Sequence, residues 1–393
     1  MVVMRLGKAV DCTGNASPPL PLPTFLRYLA KPDFFMECTM QPLDDLRIAS
    51  IDELIPPFAL LERHPMTTSA AATINTAREG IHAILHGTDD RLLVVVGPCS
   101  IHDVDAAREY ATRLLPLTEH HRKQLLIVMR VYFEKPRTTV GWKGLLNDPF
   151  LDGSFAINEG LSIGRKLLLD LAELGIPTAV EYLDVISPQY IADLVSWGAI
   201  GARTTESQIH RQLTSGLSCP IGFKNATNGD VQIAVDAIVS ARCAHSFLGA
   251  TKSGHAAIVN TRGNEDCHLI LRGGNNGPNY DAAHVRAAVA TLAAAHVPQN
   301  VMIDCSHANS NKQYLQQMTV ATSVAAQIAA GDRHIIGLMA ESNLVEGAQK
   351  LEAGKPLTYG QSITDPCIGW EDTEKMLALL SDAVAERQKK MPL

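Results

Sequence analysis

The chain has 393 residues, of which 46% are hydrophobic and 19% are charged, and its formal net charge is −7. This composition is typical of a globular protein with a sizeable core, and the acidic balance argues against nucleic acid or an anionic membrane surface as the main partner. No apolar run approaches the ~20 residues needed to span a bilayer.

The start of the chain lacks a signal-peptide pattern. Segment 16–23 reads ASPPLPLP, which cannot hold a helix, so residues 1–39 are predicted to be a disordered extension. Residues 40–90 are interpreted as an N-terminal segment for subunit contacts, with a helix over 69–86 that Gly87 caps. Eight cysteines without a CxxC pair, in a chain without a signal peptide, predict reduced thiols and a cytoplasmic location.

Beyond residue 91, short apolar runs alternate with segments of helical periodicity. A helix is predicted over 187–198, for example, with Ser187 as its N-cap and Gly198 just past its end. This alternation is typical of parallel strands covered on both faces by helices. Eight runs predict an α/β fold, a (β/α)8 TIM barrel that occupies residues 91–393. The predicted strands are 92–99, 125–132, 177–183, 199–205, 220–225, 268–274, 300–307 and 335–342.

One piece of the chain does not fit the barrel repeat. Segments 246–251 and 256–261 have the character of two strands, and the short sequence KSGH joins them. They predict a β-hairpin, residues 246–262, inserted before the sixth barrel strand.

Polar side chains recur at the same end of the predicted strands. In an open sheet the outer strands would lie far apart, at ~4.8 Å per strand, whereas a closed barrel gathers all the carboxyl ends into one ring. Barrel enzymes place their chemistry at that ring, so the pattern predicts an active site there. The residues are Cys99, Arg130, Glu181, Arg203, Lys224, Arg272, His307 and Glu341.

Strongly basic residues converge on this predicted ring without a matching surplus of acids. They require anions, and phosphate and carboxylate groups are the simplest candidates. Taken singly, some residues have other interpretations: Cys99 as a small buried hydrophobe, His307 as a partner of loop backbone, and Lys224 as a Schiff-base lysine. The basic residues are Arg130, Lys135, Arg203, Lys224 and Arg272.

The motifs that carry these residues resemble the class I 3-deoxy-D-arabino-heptulosonate-7-phosphate (DAHP) synthases of bacteria and yeast. The resemblance runs in the family's order from about Asp44 almost to the C-terminus. The FEKPRT sequence separates it from the related 3-deoxy-manno-octulosonate-8-phosphate synthases. The resembling motifs include GPCSIHD (97–103), MRVYFEKPRTTVGWKGLLNDP (129–149), GARTTESQIHR (201–211), GFKNAT (222–227), LRGGNNGPNY (271–280), DCSHANSNKQ (304–313), GLMAES (337–342) and SITDPCIGW (362–370).

The resemblance implies a reaction that joins phosphoenolpyruvate, erythrose 4-phosphate and water and releases phosphate, the first step of the shikimate pathway. It implies that Arg203 and Arg272 hold the phosphate of phosphoenolpyruvate, while Arg130 and Lys224 address its carboxylate. Lys135 would lie between the substrates as a proton donor, and Glu181 is the candidate for positioning the water. The implied contacts of erythrose 4-phosphate are Lys135, Pro136, Arg137, Thr138 and Asp365.

The resemblance also implies one divalent metal ion per subunit. The family's ligands correspond to Cys99, His307, Glu341 and Asp365, and the thiolate of Cys99 is expected to be exposed at the end of its strand. A thiolate, an imidazole and two carboxylates suit Mn²⁺, Fe²⁺, Co²⁺ or Zn²⁺ rather than Mg²⁺. The implied role is Lewis-acid polarisation of the aldehyde of erythrose 4-phosphate, which C3 of phosphoenolpyruvate attacks.

Feedback inhibition by an aromatic amino acid is a further implication. In the family, the hairpin, a neighbouring barrel helix and the N-terminal segment of another subunit form the inhibitor pocket, which implies a homodimer or homotetramer. Relatives that respond to phenylalanine carry Ser where this chain has Gly249, so the roomier pocket predicts inhibition by tyrosine ahead of phenylalanine. The corresponding positions are Asp44, Asp45, Pro188, Gln189, Leu213, Leu217, Ser218, Phe247, Gly249 and Val259.

Other interpretations stay open at this point. The hairpin could only cover the flank of the barrel. A Schiff-base aldolase acting through Lys224 would need no metal, and a catalytically inactive barrel could serve as a sensor of aromatic amino acids. The implied ligands and cations are all intact, which argues against the Schiff-base aldolase and against the inactive sensor.

Overall fold

The computed structural model describes residues 43–137, 139–352 and 354–390. The described residues fall into two compact units, which divide in the chain between Glu53 and Leu54. The extension predicted over residues 1–39 lies outside the described residues, and the predicted boundaries near residues 40 and 91 stay predictions.

Eight parallel strands close into a barrel, which confirms the predicted (β/α)8 architecture. Numbered in chain order, the barrel strands are β1 (Leu92–Gly97), β2 (Leu125–Arg130), β3 (Thr178–Glu181), β4 (Trp197–Ile200), β5 (Ile221–Lys224), β8 (Cys267–Leu271), β9 (Val301–Asp304) and β10 (Ile335–Glu341). Going round the barrel, the strand order is β1-β10-β9-β8-β5-β4-β3-β2. Every residue of these strands is buried, which explains the near-continuous apolar runs in the sequence.

Alternate strand residues serve two layers of the core. On β1, Leu93 and Val95 belong to one cluster with Trp197 and Met339. The residues between and beside them on the strand, such as Val94, belong to a second cluster that also contains residues of the surrounding helices. This alternation follows from the period of two along a strand and fills the inside of the barrel with side chains.

Helices follow most of the barrel strands. Helix α2 spans Thr68–Leu85. Its N-cap is Thr67, whose side chain accepts a hydrogen bond from the backbone N–H of Ala70, and Gly87, with φ +71°, follows its C-terminal end. The predicted helix over 69–86 and its glycine cap are therefore confirmed. Among the described residues, no helix combines the length and apolar character needed to cross a bilayer. The helices are α1 (Pro57–Arg63), α2 (Thr68–Leu85), α3 (Val104–His120), α4 (Ile157–Leu174), α5 (Pro188–Ile191), α6 (Gln208–Thr214), α7 (Gln232–Ala241), α8 (Ala282–Ala294), α9 (Gln316–Ala329) and α10 (Trp370–Lys390).

The helix predicted over 187–198 is wrong in its extent. Only α5 and a single 3-10 turn, Ala192–Leu194, form there, and Gly198 lies inside β4 rather than past a helix end. A Cβ at Gly198 would come within 2.6 Å of atoms of both Tyr182 and Ile221. The glycine is therefore required by close packing in the barrel, and a C-cap was the wrong explanation for it.

The inserted hairpin is confirmed. Strands β6 (Ser246–Ala250) and β7 (Ala256–Asn260) pair antiparallel, with Phe247 opposite Val259, and precede β8. At its turn, the carbonyl of Lys252 accepts a hydrogen bond of 2.7 Å from the N–H of Phe58 in α1. Two further short strands, β11 (Val345–Ala348) and β12 (Gln361–Ser362), pair with each other after the barrel closes.

Candidate active site

A cavity of about 640 Å³ opens at the carboxyl ends of the barrel strands. Among the described residues that line it, seven are Lys or Arg and three are Asp or Glu. This surplus of positive charge contrasts with the acidic character of the whole chain. It makes the cavity suited to anionic ligands. The basic residues are Arg130, Lys135, Arg137, Arg203, Lys224, Arg272 and Lys312.

The structure brings most of the predicted site residues to this cavity. Arg130, Glu181, Lys224 and Glu341 are the last residues of their strands, and the others follow a strand within three residues or lie on longer loops. Thr138 lies outside the described residues. The remaining predicted residues that line the cavity are Lys135, Pro136, Arg137, Arg203, Arg272, His307 and Asp365.

Cys99 is placed differently from what its position in the sequence suggested. Its side chain is fully buried rather than exposed at a strand end, and it does not line the cavity. The ammonium of Lys135 covers its sulfur, with Nζ 3.0 Å from Sγ. Burial, reinforced by the charge of Glu341, raises the pKa of the Cys99 thiol to about 11.

Three of the four predicted metal ligands form a compact group. The ligand atoms of Cys99, Glu341 and Asp365 all lie within 4.8 Å of one another. A thiol sulfur and two carboxylates are donors that transition metals accept, so these residues fit a divalent ion of that kind. Glu341 is held in place by Arg130, whose Nη2 lies 3.0 Å from its Oε1.

His307 lines the same cavity but is not a member of that compact group. Its Nδ1 lies 2.9 Å from Oδ2 of Asp304 and 2.7 Å from the hydroxyl of Ser306. These contacts orient the ring and leave Nε2 as the nitrogen that can bind a ligand, as is usual for metal-binding histidines. The backbone of His307 has φ +56°, a left-handed conformation that is uncommon for a residue with a side chain.

Asp304 is a site residue that the sequence analysis missed. It is fully buried, and besides His307 it pairs with Lys224, whose Nζ lies 3.3 Å from Oδ2. Burial alone would raise the pKa of Asp304, but His307 and Lys224 outweigh this effect and hold it well below its usual range. The signal available in the sequence was a carboxylate at the end of an otherwise apolar strand.

Arg272 carries a buried polar atom without a partner. Its Nε makes no hydrogen bond within the part of the chain that the structure describes. Burial lowers the pKa of Arg272 from its usual value, and the nearby Arg203 adds to this effect. Because buried donors are normally hydrogen-bonded, this nitrogen indicates a place for an anion between the two guanidinium groups.

Lys135 sits among the candidate metal ligands. Besides Cys99, its Nζ lies 3.6 Å from Oδ2 of Asp365. Burial alone would lower the pKa of Lys135, but the neighbouring Cys99, Glu341 and Asp365 together raise it above its usual value. The lysine therefore stays protonated, as a proton donor must be.

Most of the residues predicted to bind an inhibitor lie on the hairpin, on α5 or at the end of α6. Pro188 and Gln189 open α5, and the carbonyl of Gln189 accepts a hydrogen bond from Lys252 at the hairpin turn. At the base of the hairpin, the hydroxyls of Ser215 and Thr261 lie 2.6 Å apart. These contacts hold the hairpin near α5 and α6. Leu213 lies in α6, Leu217 and Ser218 follow it, and Phe247, Gly249 and Val259 lie on the hairpin, whereas Asp44 and Asp45 belong to the other unit.

Comparison with known proteins identifies the family of this chain. The model of the DAHP synthetase I family matches residues 66–378. The chain is 63% identical over 345 residues to the Phe-sensitive phospho-2-dehydro-3-deoxyheptonate aldolase of Escherichia coli, a match that covers 88% of this chain and 98% of that protein. It is 60% identical over 346 residues to the phospho-2-dehydro-3-deoxyheptonate aldolase of Haemophilus influenzae, with 88% and 96% covered.

A solved structure of a protein with the same name as these relatives also matches this chain. That of the phospho-2-dehydro-3-deoxyheptonate aldolase from Francisella tularensis matches with a TM-score of 0.85 at 54% identity, and the match covers 86% of this chain and 99% of that one. Because the family model matches most of the chain and each of these relatives is covered almost end to end, the chain belongs to the DAHP synthetase I family.

Proposed function

We propose that this enzyme condenses phosphoenolpyruvate with D-erythrose 4-phosphate and water to give 3-deoxy-D-arabino-heptulosonate 7-phosphate and phosphate, using the residues at the carboxyl end of its barrel. Family membership supports the reaction. The observation that carries the site assignment is the buried, unpartnered Nε of Arg272 in a cavity with a surplus of cations. Both substrates are phosphate esters, and phosphoenolpyruvate adds a carboxylate, so the ligands supply the missing negative charge.

Phosphoenolpyruvate is assigned to the side of the cavity that Arg203 and Arg272 line. Their guanidinium groups would take its phosphate, and an anion there would satisfy the buried Nε. Arg130 and Lys224 would address its carboxylate. Both of these residues are already fixed by buried acids, Arg130 by Glu341 and Lys224 by Asp304, so their positions are set before the ligand arrives.

Erythrose 4-phosphate is assigned to the loop that follows β2. Arg137 lines the cavity, and its Nε donates a hydrogen bond of 2.7 Å to the carbonyl of Trp142, which orients the exposed guanidinium. That group would take the distal phosphate together with Thr138, and Pro136 would contact the same substrate. Lys135 would then lie between the two substrates, where it can donate a proton, and Glu181 would orient the attacking water.

A divalent metal ion completes the proposed site. Cys99, Glu341 and Asp365 would hold it together with Nε2 of His307, and Mn²⁺, Fe²⁺, Co²⁺ and Zn²⁺ all suit this donor set. Bound there, the ion would supply Lewis-acid catalysis at the aldehyde oxygen. The thiol of Cys99 must lose its proton to bind, and the ammonium of Lys135 at 3.0 Å favours that loss.

The alternative of a Schiff-base aldolase is disfavoured by the surroundings of Lys224. Its Nζ lies 3.3 Å from Asp304 and 3.8 Å from Glu181, so attack on a carbonyl would break two ion pairs. An inactive sensor is disfavoured by the intact cluster of ligands and cations.

The reaction is tested by incubating the purified enzyme with Mn²⁺ and both substrates, and by following phosphate release and product mass. We expect equimolar phosphate and a seven-carbon sugar phosphate. The proposal would be contradicted if phosphoenolpyruvate were not consumed, or if phosphate were released without erythrose 4-phosphate.

Regulation by an aromatic amino acid bound at the hairpin is the second part of the proposal. The Escherichia coli relative is named Phe-sensitive, which supports feedback sensitivity in this family. Gly249 lies opposite Ala257 on the hairpin and has no side chain to narrow the pocket, which favours tyrosine over phenylalanine. Because Asp44 and Asp45 would come from another subunit, this part of the proposal requires at least a homodimer.

A further inference from the structure

Two histidines and an aspartate form a cluster at the end of the barrel opposite the active site. His82 lies in the last turn of α2, His86 follows that helix directly, and Asp266 immediately precedes β8. Arg272, at the active site, follows the same strand at its other end. Five residues of strand separate the two ends by about 16 Å. The cluster is therefore distinct from the proposed catalytic centre.

The three side chains already converge on one point. Nδ1 of His82 lies 2.8 Å and Nε2 of His86 lies 3.0 Å from the same oxygen, Oδ1 of Asp266. The two imidazole rings lie side by side, with centroids 4.1 Å apart. Asp266 is held in place, because its N–H donates to Asn264 at 3.0 Å and its carbonyl accepts from Ile221 at 3.0 Å.

We propose that His82, His86 and Asp266 form a surface metal site for Zn²⁺ or a similar borderline transition-metal ion. Two imidazoles and a carboxylate are three of the four ligands that a tetrahedral zinc ion takes, with water in the fourth position. The four-residue spacing places both imidazoles on one face of the helix. The side chains are 55%, 37% and 22% exposed respectively, which leaves an open path for the ion.

The geometry needs only a small adjustment. Ligand atoms bound to zinc at about 2.0–2.1 Å lie about 3.3 Å from one another in a tetrahedral site. The observed separations of 2.8 and 3.0 Å are shorter, since they are hydrogen-bond distances. Small rotations of three partly exposed side chains would open this space. Once bound, the ion would join the end of α2 to the start of β8, so it should stabilise the fold.

The test measures Zn²⁺ binding to chelator-treated enzyme by calorimetry, with His86→Gln as the variant. We expect the wild type to bind one more equivalent than the variant, or to bind that equivalent at least about tenfold more tightly, because a lost ligand costs no less than a lost outer-sphere partner. Zn²⁺ should also raise the Tm of the wild type by more than that of the variant. Turnover with Mn²⁺ should be the same in both.

His284→Gln is the matched control. His284 is also an exposed histidine paired with an aspartate, Asp281, at 2.6 Å, but within the described residues that pair has no third metal-binding group near it. Its loss should leave zinc stoichiometry unchanged. Equal stoichiometry and affinity in the wild type and His86→Gln would show that the cluster is only a set of ion pairs, and would overturn the proposal. The comparison holds whether or not the catalytic centre binds zinc, because only the difference between two chains is measured.

Discussion

The ammonium nitrogen of Lys135 lies 3.0 Å from the sulfur of Cys99. It also lies 3.6 Å from Asp365, so one cation occupies the space between two candidate metal ligands. Both the lysine ammonium and a metal ion would be attracted to the carboxylate of Asp365, and to the sulfur of Cys99 once its thiol has lost the proton. The proximity links the two halves of the proposed mechanism, proton donation and Lewis-acid catalysis, in a single cluster of side chains.

Two substitutions in this cluster should separate metal binding from chemistry. Cys99→Ala should abolish turnover and remove most of the Mn²⁺ affinity, whereas Lys135→Met should abolish turnover but lower Mn²⁺ affinity by only about 10–100-fold, as expected for the loss of an outer-sphere partner. Removing the buried sulfur costs stability on the order of 1 kcal/mol, so the barrel should stay folded. Calorimetric titration with Mn²⁺ measures both affinities. Unchanged metal binding in Cys99→Ala would remove this residue from the ligand set.

Arg137→Ala should raise the KM for erythrose 4-phosphate about ten- to a hundredfold and leave that for phosphoenolpyruvate nearly unchanged. The reason is that a charge-assisted hydrogen bond to phosphate contributes about 1.5–3 kcal/mol. Steady-state kinetics with each substrate varied in turn measures the effect. Lys143→Ala is the matched control, because Lys143 is an exposed cation on the same loop that does not line the cavity. Equal effects on both substrates would show that the phosphates are wrongly assigned.

Gly249→Ser should shift inhibition from tyrosine toward phenylalanine, by no more than about 1–3 kcal/mol. A Cβ at this position would lie 2.8 Å from Cγ2 of Val259, so any side chain also displaces that valine. Gly249→Ala therefore serves as the control that isolates the hydroxyl group. Inhibition curves for tyrosine, phenylalanine and tryptophan on all three proteins decide the question. A wild type that responds to phenylalanine first would contradict the role given to Gly249.

Glu134→Gln should flatten the dependence of stability on pH. Burial, and then the charge of Asp184, raise the pKa of Glu134 to about 8. The folded chain thus keeps a proton that the unfolded chain loses near pH 4.3, so this residue contributes most stability below about pH 4.3 and loses it as the pH rises to about 8. The hydroxyl of Ser187 and the N–H of Asp184 donate to the carboxyl group at 3.0 and 3.1 Å.

The measurement for Glu134 is the Tm of the wild type and the variant across that pH interval. From the low end of that pH interval to its high end, we expect the free energy of unfolding of the wild type to fall relative to that of Glu134→Gln by on the order of 1–4 kcal/mol. Glu79→Gln, on the exposed side of α2, is the control and should follow the wild type. Parallel curves for the wild type and Glu134→Gln would show that the carboxyl group is ionised throughout.

Much of the barrel was predictable because its strands are buried on both faces. Each strand is a largely apolar run, and a polar last residue marks the carboxyl end, as at Arg130 and Glu341. The helix before β4 was misjudged because Gly198 resembles a cap in sequence. Its packing role is revealed only by the side chains of Tyr182 and Ile221, which leave no room for a Cβ at this position.

The candidate site was less predictable in its supporting contacts. Cys99 was expected to be exposed, but Lys135 covers it, and neither its depth nor this contact follows from local sequence. Asp304 was overlooked because a single aspartate in a strand gives no periodic signal. Its role depends on His307, three residues further along the chain, and on Lys224, which comes from a different strand of the barrel. Contacts between distant segments are a property of the closed barrel.

The most direct test of metal-dependent condensation is the rate of phosphoenolpyruvate consumption with erythrose 4-phosphate, measured before and after treatment with a chelator and after Mn²⁺ is restored. We predict consumption only when both substrates and metal are present, loss of activity on chelation, and recovery on adding Mn²⁺. Full activity in enzyme shown to be free of metal would contradict the proposed mechanism.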